Sequence, residues 1–227
     1  MINIYSLGEN YGIKIIVLFV FWKIIKLHPN VKLLKKETAF SVYRSLLCLN
    51  FMLYSLENLI CNFSDLFTDP YCSRDCYNDI SDWFIVYSIF DIIKMIMDGN
   101  TRKDLYIHHV WCLISFIISK FYGKCSAILN ASLLAEAISI VSGIDLIAME
   151  KENMKESYYY KKYRKMVIKY FRLPLWIILL VLVVKNTRKT PSLLWYNFVF
   201  SSIVMIGLDQ FWEKKCNKVI EKYKKNS

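Results

Sequence analysis

Met166-Val-Ile-Lys-Tyr-Phe-Arg172-Leu-Pro174-Leu-Trp-Ile-Ile-Leu-Leu-Val-Leu-Val-Val184 is the stretch that decides the fold. As a helix rising about 1.5 Å per residue it crosses the roughly 30 Å hydrocarbon core of a bilayer. Working outward, six further apolar stretches follow the same pattern: Tyr11–Leu27, Ala39–Cys61, Ser81–Met97, Asp104–Phe121, Cys125–Met149 and Ser192–Trp212. All seven are of spanning length, roughly 17–25 residues. Met166–Val184 and Tyr11–Leu27 come nearest to a clean hydropathy signal, and the others are interrupted by one or more polar groups. What remains is short loops and a tail, too little for a soluble domain. A soluble fold would need seven core helices with almost no polar face. The reading is therefore all-α: a polytopic transmembrane helical bundle of seven spans. The first stretch lacks a small-residue cleavage site and reads as a span, not a signal peptide.

Composition agrees with this segregation. Of 227 residues 56% are hydrophobic and 22% charged, with a net charge of +11, yet mean hydropathy is +0.30. Disorder, collagen-like repeats and a disulfide scaffold are excluded. The cations fall into alternate loops. Eighteen Lys and Arg lie in Lys26–Lys36, in Arg102-Lys103, in the loop after the fifth span and in the tail from Lys214. Six lie on the opposite side: Arg74, Lys120, Lys124, Lys185, Arg188 and Lys189. The positive-inside bias sets the N-terminus in the lumen and the C-terminus in the cytosol. Distributed in this way, the charge reports topology and contact with anionic lipid, not a nucleic-acid stripe.

The lumenal loop Asn62–Ile80 is acidic, with Asp65, Asp69, Asp75 and Asp79. Its Cys72 and Cys76 are either a short disulfide or two free thiols. The sequon Asn62-Phe63-Ser64 abuts the bilayer. The other five cysteines are scattered, and no metal-type Cys/His spacing occurs.

Ionisable groups within spans are costly, roughly 2.5–3.5 kcal/mol each on insertion scales, so their depth is informative. Asp98 ends the third span on the cytosolic side, and Asp91 lies two turns, about 10 Å, deeper on the same face. His108 and His109 lie about 6–8 Å inside the fourth span, and Arg172 about 9 Å inside the sixth. Glu136 is central in the fifth span; Asp145 and Asp209 lie towards the cytosolic ends of the fifth and seventh. Five helices thus bring polar groups to the cytosolic half. In one reading these are structural pairs: Arg172 with Asp91 or Glu136, and the histidines with backbone or Asn130. In the other they line a polar cavity open to the cytosol. The adjacent histidines point about 100° apart, so one can act as general base while the other orients it.

Here the chain resembles a known family. Tyr87-Ser-Ile-Phe-Asp91 followed by Asn100-Thr-Arg-Lys-Asp-Leu-Tyr-Ile-His108-His109 is similar to the core of TLC-domain membrane proteins, which include the ceramide synthases and the translocating-chain-associating membrane proteins. Ala135-Glu136-Ala-Ile-Ser139, Phe171-Arg172-Leu-Pro174 and Leu208-Asp209-Gln-Phe-Trp212 resemble further elements. The resemblance implies a six-helix TLC core over residues 36–222, preceded by one span and basic loop in 1–35 and followed by a basic tail, 223–227. Synthases carry a His-Asp-x-x-Asp element where this chain has Ala135-Glu136-Ala-Ile-Ser139, and a histidine in the region where Tyr43-Arg44-Ser45-Leu-Leu-Cys48 stands. The likeness is therefore closer to non-synthase members.

For such a member the resemblance implies a lipid- or acyl-chain-binding cavity, lined by Glu136, Arg172, Asp145 and Asp209, with a role in lipid homeostasis, sensing or transport. The alternative is N-acylation of a sphingoid base from fatty acyl-CoA, with His108, His109, Asp91 and Asp98 as catalytic groups. Neither calls for a metal or a resident cofactor. Membrane lipids are the partners, acyl-CoA a further candidate, and the sequence names no protein partner. The ending Lys224-Lys225-Asn226-Ser227 matches the di-lysine retrieval pattern of the endoplasmic reticulum, the compartment that the resemblance also implies.

Overall fold

The computed structural model describes residues 4–100, 102–124, 126–187 and 191–226. Thr101, Cys125, Arg188, Lys189 and Ser227, which entered the motif, span, charge and tail readings, lie outside the described residues. The described chain is all-helical and has no strand, only an isolated bridge between Ser73 and Ser126.

The helices are α1 (Ile4–Leu27), α2 (Pro29–Lys32), α3 (Lys36–Cys61), α4 (Asp65–Thr68), α5 (Asp75–Met97), α6 (Lys103–Phe121), α7 (Ala127–Ser132), α8 (Ala137–Glu150), α9 (Met154–Val167), α10 (Leu173–Lys185) and α11 (Ser192–Asn226). Glycines stop two of them. Gly99 (φ 64°) and Gly123 (φ 60°) take the left-handed conformation after α5 and α6. The chain then folds back so that Asn100 N–H reaches the Met95 carbonyl (3.0 Å) and Lys124 N–H the Ser119 carbonyl (2.8 Å), satisfying carbonyls that the helix end leaves open. Asn153 starts α9 by accepting from the Glu156 N–H.

Two spans read from sequence as regular helices are broken. Between α7 and α8, Leu133–Glu136 tighten into a 3₁₀ turn. Between α9 and α10, Ile168–Arg172 widen into a π turn, where Leu173 N–H reaches back five residues to Ile168. Pro174 explains the second: it has no N–H to offer Tyr170, so the ladder shifts register ahead of it. Glu136 and Arg172 sit on these two turns.

Among the described residues four helical stretches are long and apolar enough to cross a membrane: Lys36–Cys61, Ala127–Glu150, Met154–Lys185 and Ser192–Lys225. They point to a membrane protein. Helix α5 is interrupted by Asp79, Asp82, Asp91 and Lys94, and α6 by Asp104, the histidines and Lys120. The burial pattern departs from that of a water-soluble bundle: around a core that is mostly apolar, large apolar side chains also face outward while several polar groups are fully buried. Ile13, Ile16, Ile24, Ile96, Val181 and Ile203 face outward, whereas Asp91, Arg172, Asp209, Ser55 and Ser88 have no exposed surface.

Helix α3 is central, packing against α1, α5 and α8. Its aromatics Phe40 and Tyr43 interlock with Trp22 of α1 and Phe90 of α5. Against α8 the contact is backbone-close: Ser45 Oγ lies 2.8 Å from the carbonyl oxygens of both Ser41 and Ser139. Away from the spans, Arg74 pairs with Asp65 and holds its carboxyl down at about 2. The two loop cysteines, Cys72 and Cys76, are free thiols.

Gly143 makes the α3–α8 approach possible, since a Cβ there would lie 2.0 Å from Ser45 Oγ and 3.2 Å from the Ser41 carbonyl. Gly143→Ala is expected to cost about 1–3 kcal/mol, read as a lowered unfolding temperature in detergent, with Ser45→Ala recovering part of the loss. An unchanged temperature would contradict the close crossing.

Candidate functional site

His108 and His109 occupy the second turn of α6, and because neighbouring helix positions diverge by about 100° they face different partners. His109 turns to α5, where Nε2 lies 2.9 Å from Asp91 Oδ2. Asp91 also receives Arg44 from α3, with Nε 3.0 Å and Nη2 2.9 Å from Oδ1 and Nη2 3.1 Å from Oδ2. His108 turns the other way, towards the 3₁₀ turn, with Nε2 3.4 Å from Glu136 Oε1. The second Glu136 oxygen accepts from Cys48 Sγ (3.3 Å) and Ser139 Oγ (3.1 Å). The edge of Trp212 packs on His108, with ring centres 5.7 Å apart, and its indole N–H donates to Asp104 at 2.8 Å.

This arrangement fixes a tautomer. A carboxylate only accepts, so the His109 proton resides on Nε2 and Nδ1 presents a lone pair. His109 Nδ1 is buried and has no hydrogen-bond partner among the described residues. A histidine held at one nitrogen by a carboxylate and bare at the other is the arrangement that acid–base catalysis uses. Both histidines border a cavity of about 40 Å³ enclosed by α3, α6, α8, α9 and α11, room for on the order of three waters or one small polar group.

The sequence-read residues divide into three groups. His108, His109, Asp91 and Glu136 converge. Arg172 and Asp209 form a neighbouring pair: Arg172 Nε donates to Asp209 Oδ1 at 2.8 Å, Trp176 Nε1 to Oδ2 at 3.1 Å, and Arg172 Nη1 to the Ala135 carbonyl just before Glu136. One of the two readings of the polar cluster pairs Arg172 with Asp91 or Glu136; instead Arg44 takes Asp91, and the packing of α10 on α11 sets Arg172 beside Asp209. Asn130, a suggested histidine partner, bonds Ser55 and Asn58. Asp145 and Asp98 stand apart. Asp145 ties α8 to α9 through Ser157 (2.8 Å) and Lys161. Asp98 pairs with Lys94 in a different cavity, among Lys23, Lys26 and Lys36. Arg44, Cys48, Ser139 and Trp212 were not read as site residues. A cation within the apolar run Ala39–Cys61 was the available signal for Arg44.

Among the described residues no three His, Cys, Asp or Glu side chains converge as a metal site. No protein-family model, curated protein or solved structure matches the chain.

Removing Arg44 leaves a fully buried carboxylate facing only a histidine. Arg44→Met is expected to cost about 3–5 kcal/mol, and adding Asp91→Asn to restore much of it. Unfolding in detergent checks this; additive losses in the double variant would contradict the pairing.

Proposed function

We propose that this chain is a seven-span TLC-family protein of the endoplasmic reticulum membrane that performs acyl transfer onto a lipid acceptor, with His109 as general base. The bare Nδ1 of a carboxylate-held histidine, one of the residues that line a small polar cavity, carries the reading. Outward apolar faces on α1 (Ile13, Ile16), α5 (Ile93, Ile96) and α6 (Ile107, Ile117) support counting these helices as spans as well. The basic loops then put the cavity near the cytosolic face, where acyl-CoA is available.

In this mechanism His109 Nδ1 takes the proton of an acceptor amine or hydroxyl as that atom forms a bond to the thioester carbonyl carbon. The tetrahedral adduct collapses by breaking the carbon–sulfur bond, and the departing thiolate takes the proton back from the imidazolium. Asp91 stabilises the transient cation and is itself held by Arg44. The product is the acylated lipid and free CoA, and His109 returns to its starting state.

Lipid binding without chemistry is the second reading. It is favoured by a groove of about 480 Å³ between α1, α3 and α5, walled by Leu18, Phe21, Leu47, Phe51 and Trp83. Such a groove suits an acyl chain, whereas the histidine cavity does not.

The two are separated by incubating purified protein in nanodiscs with acyl-CoA of several chain lengths and sphingoid-base or lysolipid acceptors. Acyl transfer predicts product from the wild type and a loss of about 10²–10⁴ in kcat for His109→Gln, with lipid affinity nearly unchanged. Turnover retained by His109→Gln would overturn the mechanism. No product with a lipid still co-purifying would leave the binding reading.

A further inference from the structure

The histidine cavity has a charge imbalance that acyl transfer alone does not use. Its wall carries three guanidinium groups, from Arg44, Arg102 and Arg164, together with both histidines and several serines, but no carboxylate. The acids lie behind this wall. Asp91 backs Arg44, and Asp104 backs Arg102 at 2.7 Å. Arg164 has no such acid: no carboxylate lies within ion-pair distance of it among the described residues. Its Nε is buried without a hydrogen-bond partner among the described residues, and its guanidinium lies 5.8 Å from the centre of the Trp212 ring. A partly buried guanidinium with an unsatisfied donor is costly unless a ligand completes it.

We propose that this cavity binds a phosphate group of the substrate, held by Arg164 and Arg102 beside His109. Guanidinium forks match phosphate oxygens in pairs. The cavity, about 40 Å³, suits one compact anion and excludes an acyl chain. The inference rests on the same cavity as the acyl-transfer reading and adds a substrate class to it: one substrate carries a phosphate group. That phosphate belongs either to a phospholipid headgroup or to acyl-CoA.

The experiment measures binding to the full chain in uncharged nanodiscs by calorimetry, using two matched comparisons. One is phosphatidic acid against diacylglycerol of the same chains, and the other is oleoyl-CoA against oleic acid. The wild type should prefer at least one phosphate-bearing partner by about tenfold or more. Arg164→Gln should abolish that preference, and Arg164→Lys should keep part of it. Preference for phosphatidic acid alone identifies a lipid headgroup; preference for oleoyl-CoA alone identifies the donor. A Lys224→Ser/Lys225→Ser form should behave as wild type. Equal wild-type affinities within both pairs, a reading that needs no variant to fold, would overturn the proposal, as would a preference that survives Arg164→Gln. His109→Gln separates the two claims: it should keep the phosphate preference while losing turnover. Turnover that persists in it removes the acyl-transfer mechanism and leaves the phosphate site standing.

Discussion

A carboxylate with no exposed surface inside an apolar bundle has to be neutralised, and Asp91 is the point on which the site depends. The penalty for burying a lone carboxylate is several kcal/mol even after relaxation. Arg44 offsets it with three contacts of 2.9–3.1 Å. With its charge balanced from α3, Asp91 can spend an oxygen on His109 and so choose which ring nitrogen is bare. Packing of α3 against α5, the polarity of the interior and the tautomer of His109 are therefore one constraint.

The same logic orders the rest of the interior. Glu136 is matched by His108, Cys48 and Ser139, Asp209 by Arg172 and Trp176, and Asp145 by Ser157 and Lys161. The backbone departs from regular helix where two of these groups must be aimed. Glu136 ends a 3₁₀ turn and Arg172 ends a π turn, irregularities that recur at functional positions in helices. The close crossing at Gly143 draws α8 onto α3, which places Ser139 between Ser45 and Glu136. Among the described residues Arg164 lines the histidine cavity without an acid in ion-pair distance and with its Nε unpartnered.

Much of this was legible in the sequence, for identifiable reasons. Apolar runs of spanning length give the helices, and an acid or histidine within such a run signals a buried polar contact, as at Asp91, His108, His109 and Glu136. Partners were not legible, because a span's sequence does not report its rotation against its neighbours. Arg44 was visible as a cation in an apolar run, but nothing in one chain sets α3 in register with α5. Arg172 went to Asp209, not to Asp91, for that same reason. Pro174 was a readable cause of the π turn; the 3₁₀ turn at Leu133–Glu136 contains neither Gly nor Pro and left no local sign.

The central claim is that Asp91 holds His109 in one tautomer and leaves its Nδ1 bare. Nitrogen-15 NMR of the imidazole rings in nanodisc-embedded protein, with His109→Gln to assign the signals, tests it directly. The account predicts a neutral His109 ring protonated at Nε2 with an unprotonated Nδ1, and loss of that single tautomer in Asp91→Asn. A His109 ring protonated at Nδ1, or one whose signals are unchanged by Asp91→Asn, would contradict it.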